Sequence, residues 1–500
     1  MMNTIKSACY VTLTLLCTTL ITAQTYAQSN EKNKKVIEYW TPERISKAIP
    51  RHLVVDKKNG LGYIKRPDGS LIPHGHNKVA EISQLGASLK ASPKRKPSGG
   101  GSDSTGPSIS PLEPTEGDTI GSSQRFAATI TDSSGIRTAT MTITYPDGNT
   151  QNISLANRSG DVWENTLSGF TDGEWRWRIQ ATDNAKGKGN LTTEGDWSFS
   201  VDTGSDSGGS GGSDASVENS GWSNGGLVQT AVGRLLYEMP TNARKKRWSA
   251  YVCSGSVATD SVTGRSIIIT AAHCVYDDAN KAFARNVLFI PNQDQTSGTG
   301  TDSNCGNDPL GCWTPSFGVV DVNWTTSIFP NNIPWDYAYY VVNDSGAHAG
   351  TAVSSDALDV EAGSIDVDFT TTPVIDDGTA GSETADFTYG LGYSYSDDPN
   401  FMHCADDMTT YESDNWWLPI CGLSGGASGG PWIQDMDISA GDGPIISVNS
   451  WGFSDGSPGM AGPKLSDTTA MCIYNEAQSI IFASISTSDG NEGVAVDYCN

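Results

Sequence analysis

The sequence predicts an all-β protein built from several domains. Three features favour it: short runs of alternating apolar and polar residues, turn sequences between the runs, and Gly/Ser-rich stretches that divide the chain. A chain of 500 residues exceeds one ordinary hydrophobic core. The 55 glycines and the hydrophobic content of 37% favour β domains joined by flexible linkers over a helical protein.

The first 27 residues have the features of a secretory signal peptide. Lys6 precedes an apolar run from Ala8 to Ile21, and Thr25-Tyr26-Ala27 fits the small-x-small cleavage pattern. The run is shorter than the ~20 residues that a membrane-spanning helix needs. We therefore expect residues 1–27 to be removed and the chain to be secreted, outside the cell or into a periplasm, with no membrane span.

Residues 28–90 are predicted to form a small αβ segment. The dipeptide Thr41-Pro42 supplies a helix N-cap and a first helical residue, and apolar runs at residues 53–55 and 62–64 predict short strands. Residues 91–105 are rich in Ser, Gly, Pro and Lys, which predicts a linker.

Residues 106–203 are predicted to form a β-sandwich, because strand-like runs recur at ~10-residue spacing. The runs are Arg125–Ile130, Thr138–Thr144, Val162–Asn165 and Trp175–Ala181. The segment Ile179–Ala185 resembles bacterial immunoglobulin-like or fibronectin-III-like modules, although the domain has no cysteine pair. This resemblance implies a spacer or adhesion module that binds a surface or polymer. Residues 204–220, rich in Gly, Ser and Asp, predict a second linker.

Residues 221–500 are predicted to be β-rich, with a terminal helix near Asp467–Gln478. About 280 residues of this kind fit a double β-barrel enlarged by loops. The strand-like runs are Leu227–Tyr237, Ser266–Thr270, Val287–Ile290, Tyr337–Val342 and Ile445–Val448.

All cysteines beyond the signal peptide lie in this C-terminal region. An even set of eight in an exported chain predicts disulfides, although 105 pairings are possible. No CxxC pair is present, which argues against a zinc site or a redox motif. The eight are Cys253, Cys274, Cys305, Cys312, Cys404, Cys421, Cys472 and Cys499.

The negative charge is concentrated in the same region. Residues 221–500 contain 34 Asp and Glu against 9 Lys and Arg, whereas residues 1–220 are balanced. An acidic surface argues against nucleic acid and anionic membranes as partners.

The motif Gly425-Gly426-Ala427-Ser428-Gly429-Gly430 is the strongest chemical signal in the chain. Hydrolysis of an amide needs a nucleophile, a base and donors for the oxyanion. Glycines around a serine allow a sharp turn that presents Oγ, and they direct the N–H groups of Gly426 and Ser428 toward one point. A glycine-rich turn without function is the alternative.

His273 is the candidate base. It lies in Thr270-Ala271-Ala272-His273-Cys274, after an apolar run, so we expect it to stand at the end of a strand. Cys274 can then tie this turn to Cys253. The other histidines of the region, His348 and His403, do not end a strand.

Asp336 is the candidate third member of a triad. It precedes the apolar run Tyr337–Val342, where it can be buried against His273 and hold the Nδ1–H group. Asp321 and Asp344 are its rivals.

The order of these residues separates the hydrolase folds. The GxSxG elbow of α/β-hydrolases needs a histidine after the serine, and the last histidine here is His403. A subtilisin pattern would use Asp202 with His74 or His76, but there the histidine precedes the aspartate. The order His273, Asp336, Ser428 is that of chymotrypsin.

Residues 221–500 resemble the trypsin/chymotrypsin-like serine endopeptidases, especially the secreted bacterial, glutamyl-endopeptidase-like branch. The matching segments are Thr230–Leu235, Cys253–Ser256, Thr270–Cys274, Trp335–Ala338, Cys421–Trp432 and Ser447–Gly452. The resemblance implies a chymotrypsin-like double β-barrel, preceded by the sandwich and by a small pro-segment, since residues 40–44 also resemble a propeptide start.

The same resemblance implies several site features. Ser450, Trp451 and Gly452 are expected to form an edge strand that pairs with the substrate backbone. Cys404–Cys421 is implied beside Cys253–Cys274, and the remaining pairs are then expected to be Cys305–Cys312 and Cys472–Cys499. A triad with an oxyanion hole needs no metal or cofactor. We expect a monomer that acts on proteins or peptides.

Two positions depart from the family pattern. Gly422 stands where the trypsin branch carries an aspartate, and Asn449 stands where glutamyl-specific members carry a histidine, so the sequence leaves the cleavage specificity open. Two other functions stay open as well: esterase activity from the same triad, and a catalytically inactive protease fold used for adhesion or binding.

Overall fold

The computed structural model describes two compact units: residues 1–80 with 212–500 form one, and residues 81–211 the other. The predicted signal peptide (1–27), most of both linkers and both ends of segment 28–90 lie outside the described residues. The described residues are 33–78, 105–120, 123–146, 148–159, 162–168, 170, 173–185, 188–201, 216–302, 304–376, 385–412, 414–479 and 490–499.

The described part of the N-terminal segment contains helical turns and four short strands. Helix α1 begins at Pro42, as predicted, although the Thr41 side chain makes no capping hydrogen bond. Residues 33–39 are also helical. The elements are α1 (Pro42–Ile45), β1 (Ile49–Pro50), β2 (His52–Asp56), β3 (Leu61–Lys65) and β4 (Leu71–Pro73).

The middle unit consists of two antiparallel-rich sheets around a shared apolar core. The first sheet has the order β10-β11-β7-β5, and the second has the order β6-β13-β12-β8-β9. Each of the four predicted strand runs lies within an observed strand. The strands are β5 (Ser108–Glu113), β6 (Asp118–Ile120), β7 (Ser123–Thr131), β8 (Ile136–Thr144), β9 (Thr150–Ser154), β10 (Ala156–Ser159), β11 (Val162–Ser168), β12 (Gly173–Asp183) and β13 (Leu191–Val201).

Alternation along the central strands builds this core. In β12, every second side chain from Trp175 to Ala181 is buried and the intervening ones are exposed. Phe126 of β7 is fully buried and contacts Trp177 and Phe199 edge to face, at ring-centroid distances of 5.3 and 5.5 Å. Phe126 therefore joins the two sheets.

The C-terminal region is predominantly β. Strand β14 begins at Val217, inside the stretch 204–220 that was expected to be a linker. The strands are β14 (Val217–Gly221), β15 (Val232–Pro240), β16 (Trp248–Ala258), β17 (Arg265–Thr270), β18 (Tyr276–Asp277), β19 (Ala282–Phe283), β20 (Arg285–Pro291), β21 (Cys312–Trp313), β22 (Phe317–Asp321), β23 (Ala338–Asn343), β24 (His348–Ala349), β25 (Phe387–Gly392), β26 (Met402–Asp407), β27 (Thr409–Tyr411), β28 (Asn415–Leu418), β29 (Pro431–Gln434), β30 (Ile445–Val448), β31 (Trp451–Phe453), β32 (Met460–Pro463) and β33 (Gly493–Val496).

Three larger sheets organise this region together with the N-terminal segment. The first has the order β24-β21-β20-β15-β16-β17-β23-β22-β33, with β1 beside β16. The second is β14-β26-β25-β29-β30, and the third is β27-β28-β32-β31-β2-β3-β4. Strands of the N-terminal segment are thus integral members of two sheets.

One expected strand begins as a helix. The run Leu227–Tyr237 was predicted to be extended throughout, but helix α2 (Gly226–Ala231) precedes β15. The N–H groups of Leu227 and Val228 donate to the carbonyls of Ala440 and Gly441, and these partners satisfy the start of the helix. The other helices are α3 (Val322–Thr326), α4 (Leu358–Ala362) and α5 (Ala470–Ser479), the last close to the predicted terminal helix.

Four disulfides connect the C-terminal cysteines in the expected pairs. They are Cys253–Cys274, Cys305–Cys312, Cys404–Cys421 and Cys472–Cys499. Among the described residues, no helix combines the length and the apolar character needed to cross a membrane.

Replacement of Phe126 by alanine is expected to destabilise the middle unit by about 3–5 kcal/mol, because it leaves a cavity between the two sheets. Differential scanning calorimetry of the secreted chain would measure this as a lower transition temperature. Leu191→Ala is the matched control, since Leu191 lies in the same unit but is 59% exposed. Equal shifts for the two variants would contradict the assignment of Phe126 to the core.

Candidate active site

The predicted nucleophile Ser428 lies in a tight loop that precedes β29. Gly426 and Gly429 adopt φ angles of 105° and 83°, which residues with side chains disfavour. A Cβ atom on Gly429 would lie 2.1 Å from Thr270 Oγ1, so this position requires glycine. The Ser428 carbonyl accepts a hydrogen bond from the Ser254 N–H at 2.7 Å, which fixes the loop against β16.

The predicted base His273 is fully buried in a short 3-10 turn after β17. Its Nδ1 lies 2.8 Å from Asp336 Oδ2, and its backbone N–H donates to Asp336 Oδ1 at 2.8 Å. A carboxylate at Nδ1 keeps the proton on that nitrogen and leaves Nε2 as an acceptor. Among the described residues, Nε2 has no hydrogen-bond partner, so its lone pair is available for a proton.

The carboxylate of Asp336 is fully buried two residues before β23 begins. Besides the two His273 donors, the Ser450 hydroxyl donates to Asp336 Oδ2. These three donors stabilise the carboxylate in place of the water that cannot reach it. Asp336 is therefore held in a fixed orientation relative to His273.

The nucleophile loop and the histidine turn are neighbours in the structure. Cys274, which follows His273, has its Sγ 3.8 Å from the Ser428 carbonyl oxygen. The Cys253–Cys274 disulfide attaches this turn to β16. His273 and Asp336 are therefore in direct contact, and the backbone of Ser428 lies beside the turn that carries His273.

The side chain of Asn449, one of the two residues that depart from the family pattern, is fully buried. Its Nδ2 donates to the carbonyls of Leu391 and Ala427 at 2.7 and 3.0 Å, and its Oδ1 accepts from Trp432 Nε1 at 2.7 Å. Asn449 thus supports the nucleophile loop from beneath. The side chain of Ser450 is likewise turned inward, toward Asp336.

Gly422 has a neighbour that sequence reasoning missed. Its N–H donates to the Glu218 carbonyl at 2.8 Å, and a Cβ atom on Gly422 would lie 2.8 Å from Glu218 Cγ. An acidic side chain thus packs directly against the position where the trypsin branch carries its aspartate. Glu218 lay in a segment predicted to be a linker, so no sequence signal connected the two residues.

Trp451 and Gly452 lie in β31, the expected edge strand for substrate. This edge is occupied by β2 of the N-terminal segment, which pairs with β31 in parallel. His52, the first residue of β2, packs against Gly425 of the nucleophile loop. The pKa of His52 is lowered to about 3, chiefly because the side chain is buried, and the neighbouring Lys65 and His273 contribute in the same direction.

The rival residues have other partners. His348 lies beside Trp313, with ring centroids 4.7 Å apart, and His403 Nδ1 is 3.1 Å from the Ser220 carbonyl oxygen. Asp321 caps helix α3 by accepting from the Asn323 N–H, and Asp344 accepts from the Gly264 N–H. None of the four belongs to the cluster around Ser428.

The histidines of the rejected subtilisin pattern also have structural partners. His74 Nε2 lies 2.7 Å from Asp278 Oδ1, and His76 Nε2 lies 2.8 Å from the Gly62 carbonyl oxygen. Asp202, the aspartate of that pattern, lies outside the described residues.

One group of possible metal ligands lies near the site. The ligand atoms of Cys253, His273 and Cys274 are within 4.8 Å of one another. Both cysteines are joined in a disulfide, so neither offers a thiolate to a metal.

No protein-family model and no curated protein matches the chain. Among the solved structures that match, the following three are weakly similar to it. The endo-β-1,4-mannanase from Thermotoga petrophila is 13% identical over 20% of this chain, with a TM-score of 0.17, and the match spans only 21% of the mannanase chain. Fibronectin(III)-like modules of Clostridium thermocellum CbhA are 13% identical over 19% of this chain and 97% of theirs, with a TM-score of 0.16. A tetra-tandem repeat from the extending region of a large adhesion protein is 14% identical over 50% of this chain and 67% of its own, with a TM-score of 0.16.

Replacement of Asn449 by alanine is expected to lower the free energy of unfolding by about 3 kcal/mol, because it leaves buried polar groups without their partners. Urea denaturation of the secreted chain would measure the loss. Asn331→Ala is the matched control, because Asn331 is exposed. Equal stability of the two variants would contradict the supporting role of Asn449.

Acidification is expected to weaken the fold through His52. Since its pKa is lowered to about 3 from an ordinary 6.5, His52 stays neutral in the fold while the unfolded chain takes up its proton. Its contribution is present above pH 6.5 and is lost as the pH falls toward 3. His52→Gln should therefore lose less unfolding free energy than the wild type between pH 7 and pH 4, as measured by urea denaturation. An equal loss would show that His52 does not titrate in this way.

Proposed function

We propose that the protein is a secreted serine endopeptidase that hydrolyses peptide bonds through His273, Asp336 and Ser428. The observation that carries this proposal is the buried Asp336–His273 pair beside the glycine-rich Ser428 loop, with Nε2 of the histidine available as a base. The order of the three residues along the chain supports the proposal as well, since it is the order found in chymotrypsin.

The reaction begins with the transfer of the Ser428 hydroxyl proton to His273 Nε2. Ser428 Oγ attacks the carbonyl carbon of the substrate, and Asp336 stabilises the resulting imidazolium. The imidazolium then gives its proton to the leaving amine as the C–N bond breaks, which leaves an acyl-enzyme. Water, deprotonated by His273, releases the acid and restores Ser428.

The backbone N–H groups of Gly426 and Ser428 are the proposed oxyanion donors. Gly426 adopts φ 105°, a backbone conformation that glycine reaches easily and other residues disfavour. This conformation sets the orientation of the peptide N–H groups in the loop. Removal of one such donor from a related hydrolase site typically slows turnover about 100-fold or more.

The fold proposed for residues 221–500 is the chymotrypsin-like double β-barrel. The support is the arrangement of its strands in long antiparallel sheets, with the triad residues on the connections at β17, β23 and β29. The immunoglobulin- or fibronectin-III-like identity of residues 106–203 belongs to the same proposal. Four disulfides agree with export to an oxidising compartment.

A fluorophosphonate probe is expected to phosphonylate Ser428 Oγ with release of fluoride. The secreted chain should be incubated with excess probe to completion, and the labelled peptide identified by mass spectrometry. Ser428→Ala should take no label. His273→Ala should label about 1,000-fold more slowly or worse, because the serine then lacks its base.

Ser424→Ala is the matched control. Ser424 lies in the same loop, and its hydroxyl is 2.9 Å from the Ser396 hydroxyl, away from His273. This variant should be labelled as the wild type is. Label on Ser424, or none on Ser428, would contradict the proposed nucleophile.

A further inference from the structure

We propose that residues 33–78 are an intramolecular inhibitor that occupies the substrate cleft, an inference that rests on the proposed peptidase function. These residues belong to the same compact unit as the C-terminal region. The segment is joined to that region through backbone pairing with β31, a buried ion pair and apolar contacts.

Backbone pairing fills the edge that a substrate would need. Strand β2 adds to β31 in parallel, with Leu53, Val54 and Val55 opposite Trp451, Gly452 and Phe453. The Ser454 N–H donates to the Val55 carbonyl at 3.0 Å, which extends the ladder by one bond. A substrate cannot pair with β31 while β2 remains there, because each edge accepts one strand.

Between β1 and β2, the chain contacts both the loop that carries Ser428 and the turn that carries His273. Pro50 and His52 lie so close to Gly425 that a Cβ atom there would be 2.7 Å from the Cβ atoms of both. Between them, Arg51 Nη1 donates to the His273 carbonyl at 2.7 Å. The peptide around Arg51 therefore covers the nucleophile loop and the histidine turn together.

Arg51 anchors the segment through charge. Its side chain is 1% exposed, and its Nη2 lies 3.4 Å from Asp277 Oδ1 and 3.7 Å from Asp278 Oδ1. Both carboxylates belong to the C-terminal region and follow the histidine turn. His74, later in the segment, also reaches Asp278, with Nε2 2.7 Å from Oδ1. Removing one partner of such a buried pair leaves an uncompensated charge, which is strongly unfavourable.

Contacts on both flanks hold the rest of the segment. Upstream, Trp40 is 1% exposed and its Nε1 donates to the Asn286 carbonyl at 2.7 Å. Downstream, Gly62 lies against Phe329, where an added Cβ atom would be 2.3 Å from the phenyl ring. The segment is thus fastened before and after the point where it crosses the cleft.

The test compares labelling of Ser428 with the segment attached, cut and released. A recognition sequence for a site-specific protease is inserted in the Ser/Gly/Pro-rich stretch 91–105, and the full chain is folded and purified before the cut. The rate of fluorophosphonate labelling is then measured for the uncut chain and for the cut chain, before and after dilution. We expect the uncut chain to label about tenfold more slowly, or worse, than the cut and diluted chain.

Variants within the segment identify the contacts responsible. Arg51→Ala and Gly62→Val should each raise the labelling rate of the uncut chain about tenfold, because both weaken docking and leave the catalytic residues unchanged. Lys47→Ala is the matched control, since Lys47 is exposed and its ion pair is with Glu43 of the same segment. It should label at the wild-type rate. If a variant fails to fold, the comparison of cut and uncut wild type still decides the question.

Failure of the proposed inhibition and failure of the proposed function would give different labelling results. Equally fast labelling of the uncut and the cut, diluted chains would overturn the inhibition while leaving Ser428 as the nucleophile. No labelling of any form, although size-exclusion chromatography shows that the segment has separated, would overturn the proposed function and the inhibition with it. Acceleration by Lys47→Ala equal to that by Arg51→Ala would overturn the role of the ion pair.

Discussion

The buried carboxylate of Asp336 is the constraint on which the candidate site depends. It accepts from the backbone and the ring of His273 and from the hydroxyl of Ser450, and so joins the ends of β17, β23 and β31. An ionised carboxylate can remain in such a place only when donors replace the water that it has lost. The same bonds that compensate its charge therefore orient the imidazole.

The nucleophile loop is fixed by a second, independent set of contacts. Asn449 Nδ2 donates a hydrogen bond to the Ala427 carbonyl, and the Ser254 N–H in β16 donates one to the Ser428 carbonyl. Glycines at 426 and 429 allow the backbone angles that these contacts require. The turn that carries His273 and the loop that carries Ser428 are thus held by separate sets of hydrogen bonds.

The N-terminal segment completes the same unit. Without β2, the short strand β31 would present an open edge with apolar neighbours, a surface that folded proteins usually cover. Arg51 also brings one positive charge to the carboxylates of Asp277 and Asp278 in a strongly acidic region. The segment therefore stabilises the same unit that contains the candidate site.

Some features followed from the sequence alone because local chemistry fixes them. Alternating burial in strands such as β12, the start of helix α1 at Pro42 and the tight glycine-rich turn around Ser428 depend on neighbouring residues. The order of His273, Asp336 and Ser428 needed no coordinates either. The tertiary structure decided what depends on distant partners: α2 instead of a strand at Leu227, and Glu218 beside Gly422. It likewise decided the inward orientation of Asn449 and the pairing of β2 with β31. Contacts between residues hundreds of positions apart leave no periodicity in the chain, so only the folded arrangement could reveal them.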